Sequence, residues 1–166
     1  HDILQNKIYS LSIHRVCVIN ERNNSGSYFS PKETRSSDFY NFENIIKHWD
    51  FQTSSLFFRH SPNLADIISF LAADLHFGDL PLLYWFASQG KIYYFNDVMS
   101  TYRLHHGGIT YSNEGDYKSY KKFVQLAEEN LRFLDRFSIL TENKFRVFTD
   151  IYKRKIYLPL ADNHHL

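Results

Sequence analysis

Gly78-Asp-Leu-Pro-Leu-Leu-Tyr-Trp-Phe-Ala-Ser-Gln-Gly90-Lys-Ile-Tyr-Tyr-Phe-Asn-Asp-Val-Met-Ser-Thr-Tyr-Arg-Leu-His105 is the stretch on which the fold turns. Asp79 can cap a helix that has Pro81 in its first turn, and Gly90 stands where a left-handed C-terminal cap belongs. Lys91–Phe95 then reads as a strand, Asn96-Asp97 as a tight turn and Val98–His105 as a second strand running into Gly107-Gly108. The expected order is helix, strand, turn, strand.

Working outward, Ser10–Ile19 alternates, with Leu11 and Ile13 on one face and Val16 and Val18 on the other after a slip at His14-Arg15, which predicts a bulged strand. Asn20–Ser37 is polar and turn-rich and reads as a long loop. Phe42, Ile45, Ile46 and Trp49 follow helical spacing behind Asn41, an N-cap candidate. Thr53–Arg59 has strand composition, and Leu64, Ile67, Ile68 and Leu71 predict another short helix. Beyond Asp116, Tyr120, Phe123, Val124, Ala127, Leu131 and Leu134 form one apolar stripe, and Thr141 is a candidate cap for a last helix with Phe145, Phe148 and Tyr152 inward.

Composition narrows the function classes. With 43% hydrophobic and 17% aromatic residues, the 166-residue chain can bury a core. Nineteen basic against eighteen acidic residues leave a charge of +1, so no global field draws it to nucleic acid. Cys17 is the single cysteine, which excludes an internal disulfide and suits a reducing cytoplasm. No apolar run approaches the ~20 residues of a membrane span. The basic aromatic runs Tyr117–Phe123 and Tyr152–Tyr157 raise a nucleic-acid surface or, with more weight, peripheral contact at the inner face of a membrane, but neighbouring acidic residues dilute them and they read mostly as solvated helix faces.

Three stretches, Ser10–Asn20, Gln52-Thr-Ser-Ser-Leu-Phe-Phe-Arg59 and Gly78–Gly108 with its Tyr-Arg-x-His-x-Gly-Gly ending, together resemble the C-terminal half of bacterial family 2 glycosyltransferases, which are inverting and of GT-A fold. The resemblance implies an α+β fold: a partial GT-A domain over residues 1–112, with a mixed sheet and flanking helices, then a helical extension over 113–166. It implies transfer of sugar from a nucleotide-sugar donor to a saccharide or lipid-linked acceptor, in surface polysaccharide synthesis. Asp79 matches the catalytic base, and His105 a ligand of a divalent metal (Mg or Mn), with His106 its rival through a one-residue slip. Thr53, Ser54, Ser55, Gly78 and Arg103 fall on the substrate-binding side. The Rossmann-like half with its Asp-x-Asp signature has no counterpart before Ser10, and no Asp-x-Asp triplet occurs in the chain. A fragment that is inactive alone is therefore expected, the alternative being a non-catalytic carbohydrate-binding or protein-interaction module on the same scaffold. Trp85 and Tyr84 could stack on sugar, but their spacing favours the core.

Overall fold

The computed structural model describes residues 2–21, 23, 25–29, 39–47, 51–76, 78–105 and 120–162. Helix α1 (Asp2–Gln5) leads into strand β1 (Tyr9–Asn20), followed by β2 (Ser25–Phe29) and β3 (Phe39–Tyr40). Helix α2 (Phe42–Lys47), a 3-10 turn (Thr53–Ser55), β4 (Phe57–Phe58), α3 (Leu64–Ala72) and α4 (Asp79–Gln89) come next. Strand β5 (Lys91–Leu104) and helices α5 (Tyr120–Leu140) and α6 (Arg146–Asp162) complete the order.

The sheet is mixed. β1 and β5 are parallel neighbours at its centre, β2 and β4 run antiparallel to β1, and β3 antiparallel to β5. Since β5 is one continuous strand, Asn96-Asp97 is not the tight turn expected from its composition. Between the pairs His14 with Phe95 and Val16 with Ser100, β1 advances two residues and β5 five, so β5 carries three extra (5 − 2 = 3). These form a bulge. It lies opposite His14-Arg15, so the bulge expected in β1 at that slip is carried by its partner β5 instead. The expected loop also holds a strand, β2, whose Ser-Gly-Ser-Tyr-Phe composition is that of a turn.

At the start of α2 the Asn44 amide donates to Asn41 Oδ1 and the Asn41 amide to Asn44 Oδ1, each at 3.0 Å, a reciprocal cap. Buried Leu11, Ile13 and Ile92 from the sheet join Phe42, Tyr84, Phe133, Leu134 and Phe137 from the helices in one core. Phe42 is stacked on Phe137 at 5.2 Å, and Tyr84 meets Phe133 edge-on at the same distance. Tyr84 is therefore a core residue, as its spacing suggested, and Trp85 packs partly buried beside it. Phe145, Phe148 and Tyr152 also face the core, but Thr141 caps no helix: its hydroxyl bonds back to Phe137 O at 2.8 Å, and α6 begins five residues later. The side chains of Tyr120 and Phe123 lie outside the described residues.

Gly90 does not adopt the left-handed cap conformation; its φ is 175°. It is required by closeness instead, because a Cβ there would lie 2.9 Å from Ile8 O and 3.3 Å from Ser10 N. Gly90→Ala is expected to lower stability by about 1–3 kcal/mol through this overpacking. Gly78→Ala, whose Cβ meets nothing within 4 Å, should stay within about 0.5 kcal/mol of the parent. Urea unfolding of both variants measures the contrast. Equal midpoints would show that the Gly90 contact is not a constraint.

Truncation after residue 112 removes Phe133, Leu134 and Phe137, each fully buried. At roughly 1.5–3 kcal/mol per side chain the loss rivals a whole domain's stability. Residues 1–112 should therefore lack a cooperative thermal transition by circular dichroism.

Candidate functional site

The 3-10 turn Thr53–Ser55 sits between the first turn of α4 and the central strands. Thr53 Oγ1 donates to Asp79 Oδ2 at 2.7 Å. Ser54 Oγ lies 3.3 Å from Ser100 Oγ on β5, which lies 2.9 Å from His14 Nε2 on β1. Asp79 and Thr53 thus form one pair, and Ser54, Ser100 and His14 a chain of three, the two meeting at adjacent residues of the turn. Ser55 is buried and donates to Gln52 O at 2.7 Å, closing the turn and leaving no hydroxyl for a ligand.

Asp79 is not the N-cap expected of it. It is the first residue inside α4, the preceding Gly78 being already in the right-handed helical region. A carboxylate in the first turn is favoured by the helix dipole. One oxygen is held by Thr53; among the described residues Oδ1 has no hydrogen-bond partner. Gly78 is exposed and has open space where a side chain would project. A hollow of about 10 Å³, lined by Phe51, Thr53, Leu56, Asp79 and Leu83, lies behind the carboxylate. That is one water molecule in size.

The connection leading into Asp79 is clipped from the far side by α5. Buried Glu129 accepts from the His76 amide at 3.3 Å and from Gln125 Nε2 at 2.9 Å, and the Arg136 guanidinium donates to Leu71 O and Ala73 O. In this way α5 holds the chain between α3 and α4.

Other candidates stand apart from this row. Arg103 forms an exposed ion pair with Glu21, Nε to Oε1 3.4 Å. His105 follows the end of β5 and is half-buried; His106 lies outside the described residues. Among the described residues no three His, Cys, Asp or Glu side chains converge, so a Mg or Mn ion at His105 needs ligands beyond them. No described helix is long and apolar enough to cross a membrane.

The chain matches no family model, no curated protein and no solved structure.

His14 and Ser100 were not legible as site residues. The one signal was His14 at the slip in the alternation of the strand. Burial holds the His14 imidazole below its ordinary value. The unfolded chain takes up this proton near pH 6.5, whereas the folded chain resists it. His14 therefore weighs against stability as pH falls below about 6.5, and not above. His14→Gln can keep a bond to Ser100 without titrating. The melting temperature of the parent minus that of His14→Gln is expected to shrink from pH 7.5 to 5; a constant difference would mean that protonation at His14 is not resisted.

Proposed function

We propose that the chain forms the acceptor side of an inverting glycosyltransferase, with Asp79 as the general base. The carrying observation is the Asp79 carboxylate, oriented through Oδ2 by Thr53 at 2.7 Å and beside exposed Gly78, with Oδ1 unengaged among the described residues. The resemblance to family 2 enzymes implies a base at this position, and the geometry suits the role. In the reaction, an acceptor hydroxyl of a saccharide or lipid-linked saccharide gives its proton to Oδ1. Its oxygen bonds to the anomeric carbon as the bond to the nucleotide diphosphate breaks, and the electron pair leaves with the diphosphate. The Ser54, Ser100 and His14 groups offer donors and acceptors to sugar hydroxyls alongside. Binding of the nucleotide-sugar donor is assigned to other residues, together with the divalent ion to which His105 would contribute.

The test compares Asp79→Asn with the parent in a protein that joins this chain to a donor-binding half. Turnover is expected to fall by about 10²–10⁴-fold, the usual cost of losing a general base, with melting temperature and donor affinity nearly unchanged. Saccharide titrations of the chain itself, read at the amides of Thr53, Ser54, Asp79 and Ser100, check the acceptor side separately. Saccharide binding combined with undiminished turnover in Asp79→Asn would leave a carbohydrate-binding surface and remove Asp79 as base.

A further inference from the structure

At the other end of α4, about 15 Å from Asp79 at ~1.5 Å per helical residue, the structure has an open groove of about 530 Å³. Phe42, Phe145 and Phe148 supply its apolar surface, and Lys7, Lys91 and Lys144 line it from three separate segments. The volume lies in the range of small-molecule sites. Among the described residues none of these lysines is in an ion pair. Lys91 Nζ lies 3.8 Å from the centre of the Phe39 ring, and Lys144 Nζ 5.3 Å from that of Phe145. Such contacts hold an ammonium without cancelling its charge. Glu43, the acidic side chain in the lining, is already bridged to Lys47.

One feature opposes an anion here, the C-terminal carbonyl end of α4. It is answered in part. Phe86 O accepts from Ser10 Oγ at 2.6 Å and from the Gly90 amide, and Trp85 O accepts from Ser88 Oγ. Three lysines then line a groove with an apolar surface, and its one acidic side chain among the described residues is already paired, a combination that suits a ligand with an acidic head and an apolar body.

We propose that this groove binds an anionic amphiphile, its phosphate or carboxylate head between the lysines and its hydrocarbon body against the phenyl rings. The site is separate from the Asp79 row and does not depend on the transferase reading.

The test uses the whole chain and octyl phosphate below its micelle concentration, with inorganic phosphate, octyl glucoside and anionic phospholipid vesicles alongside. Octyl phosphate is expected to shift the amides of Ser88–Lys91 and Lys144–Phe148, and to bind at least tenfold more tightly than either inorganic phosphate or octyl glucoside. Replacing one lysine by Gln should weaken it by about twofold to fivefold, and Lys7→Gln/Lys91→Gln/Lys144→Gln together by roughly tenfold or more, as for partly exposed charge pairs. Lys7 and Lys144 are exposed and Lys91 half-buried, and circular dichroism confirms that the variant is folded. Equal binding of octyl phosphate and octyl glucoside, or undiminished affinity in the folded triple variant, overturns the proposal. So does binding confined to vesicles, which would make this a membrane-surface contact rather than a ligand groove.

Discussion

The junction where α4 ends and β5 begins is the constraint on which the rest of the structure hangs. Gly90 lies so close to the chain entering β1 that no side chain fits between them, and the Lys91 amide bonds Ile8 O at 2.8 Å. Ser10 reaches across to Phe86 O and to Lys91 O. The consecutive α4 and β5 are thereby fixed at one point to β1, some eighty positions earlier. The parallel register of β1 and β5 starts there, and so does the direction of α4. Because a helix is stiff, anchoring its last turn also determines where its first turn can lie, and the first turn carries Asp79.

Aromatic packing fixes the other degrees of freedom of α4. Phe42 of α2, Tyr84 of α4 and Phe133 and Phe137 of α5 form one set of ring contacts, so rotating α4 about its axis would pull Tyr84 out of the set. Helix α5 thus has two effects. It completes the core, and through Glu129 and Arg136 it holds the segment that delivers Gly78 and Asp79. The carboxylate is placed by packing on one side and by the Thr53 hydroxyl on the other, with little left to loop motion.

How much of this could be read in advance depended on the range of the deciding interaction. Helix α2 was legible because its apolar spacing and the reciprocal pairing of Asn41 and Asn44 act locally; α4 was found from Pro81 and its flanking residues, although Asp79 lies inside the helix and Gly90 answers a distant close approach rather than a local cap. The turn expected at Asn96-Asp97 failed because those residues favour turns by themselves, whereas here they are unpaired bulge residues whose neighbours Phe95 and Val98 are held by β1, some eighty positions earlier. Strand β2 was missed for the same reason, its Ser-Gly-Ser-Tyr-Phe sequence being held extended by β1. Asp79 and Thr53 were picked out by pattern, but their hydrogen bond was not foreseeable, since it depends on how the 3-10 turn packs against α4. His14 and Ser100 escaped notice singly because neither belongs to a local motif; only the sheet makes them neighbours.

The bulge in β5 has a consequence for how this site tolerates change. Side chains alternate along a strand, so an odd number of extra residues reverses which face the following ones occupy. The three extra residues bring Ser100 onto the face of Val16 and hence of His14, while earlier in the same strand Ile92 pairs with Leu11 in the core. What the bulge encodes is parity. Asn96, Asp97 and Met99 are exposed and open to replacement by other residues, but an insertion or deletion of one residue among them would turn Ser100 and all that follows in β5 to the opposite face. At this point of the chain, length rather than identity carries the information.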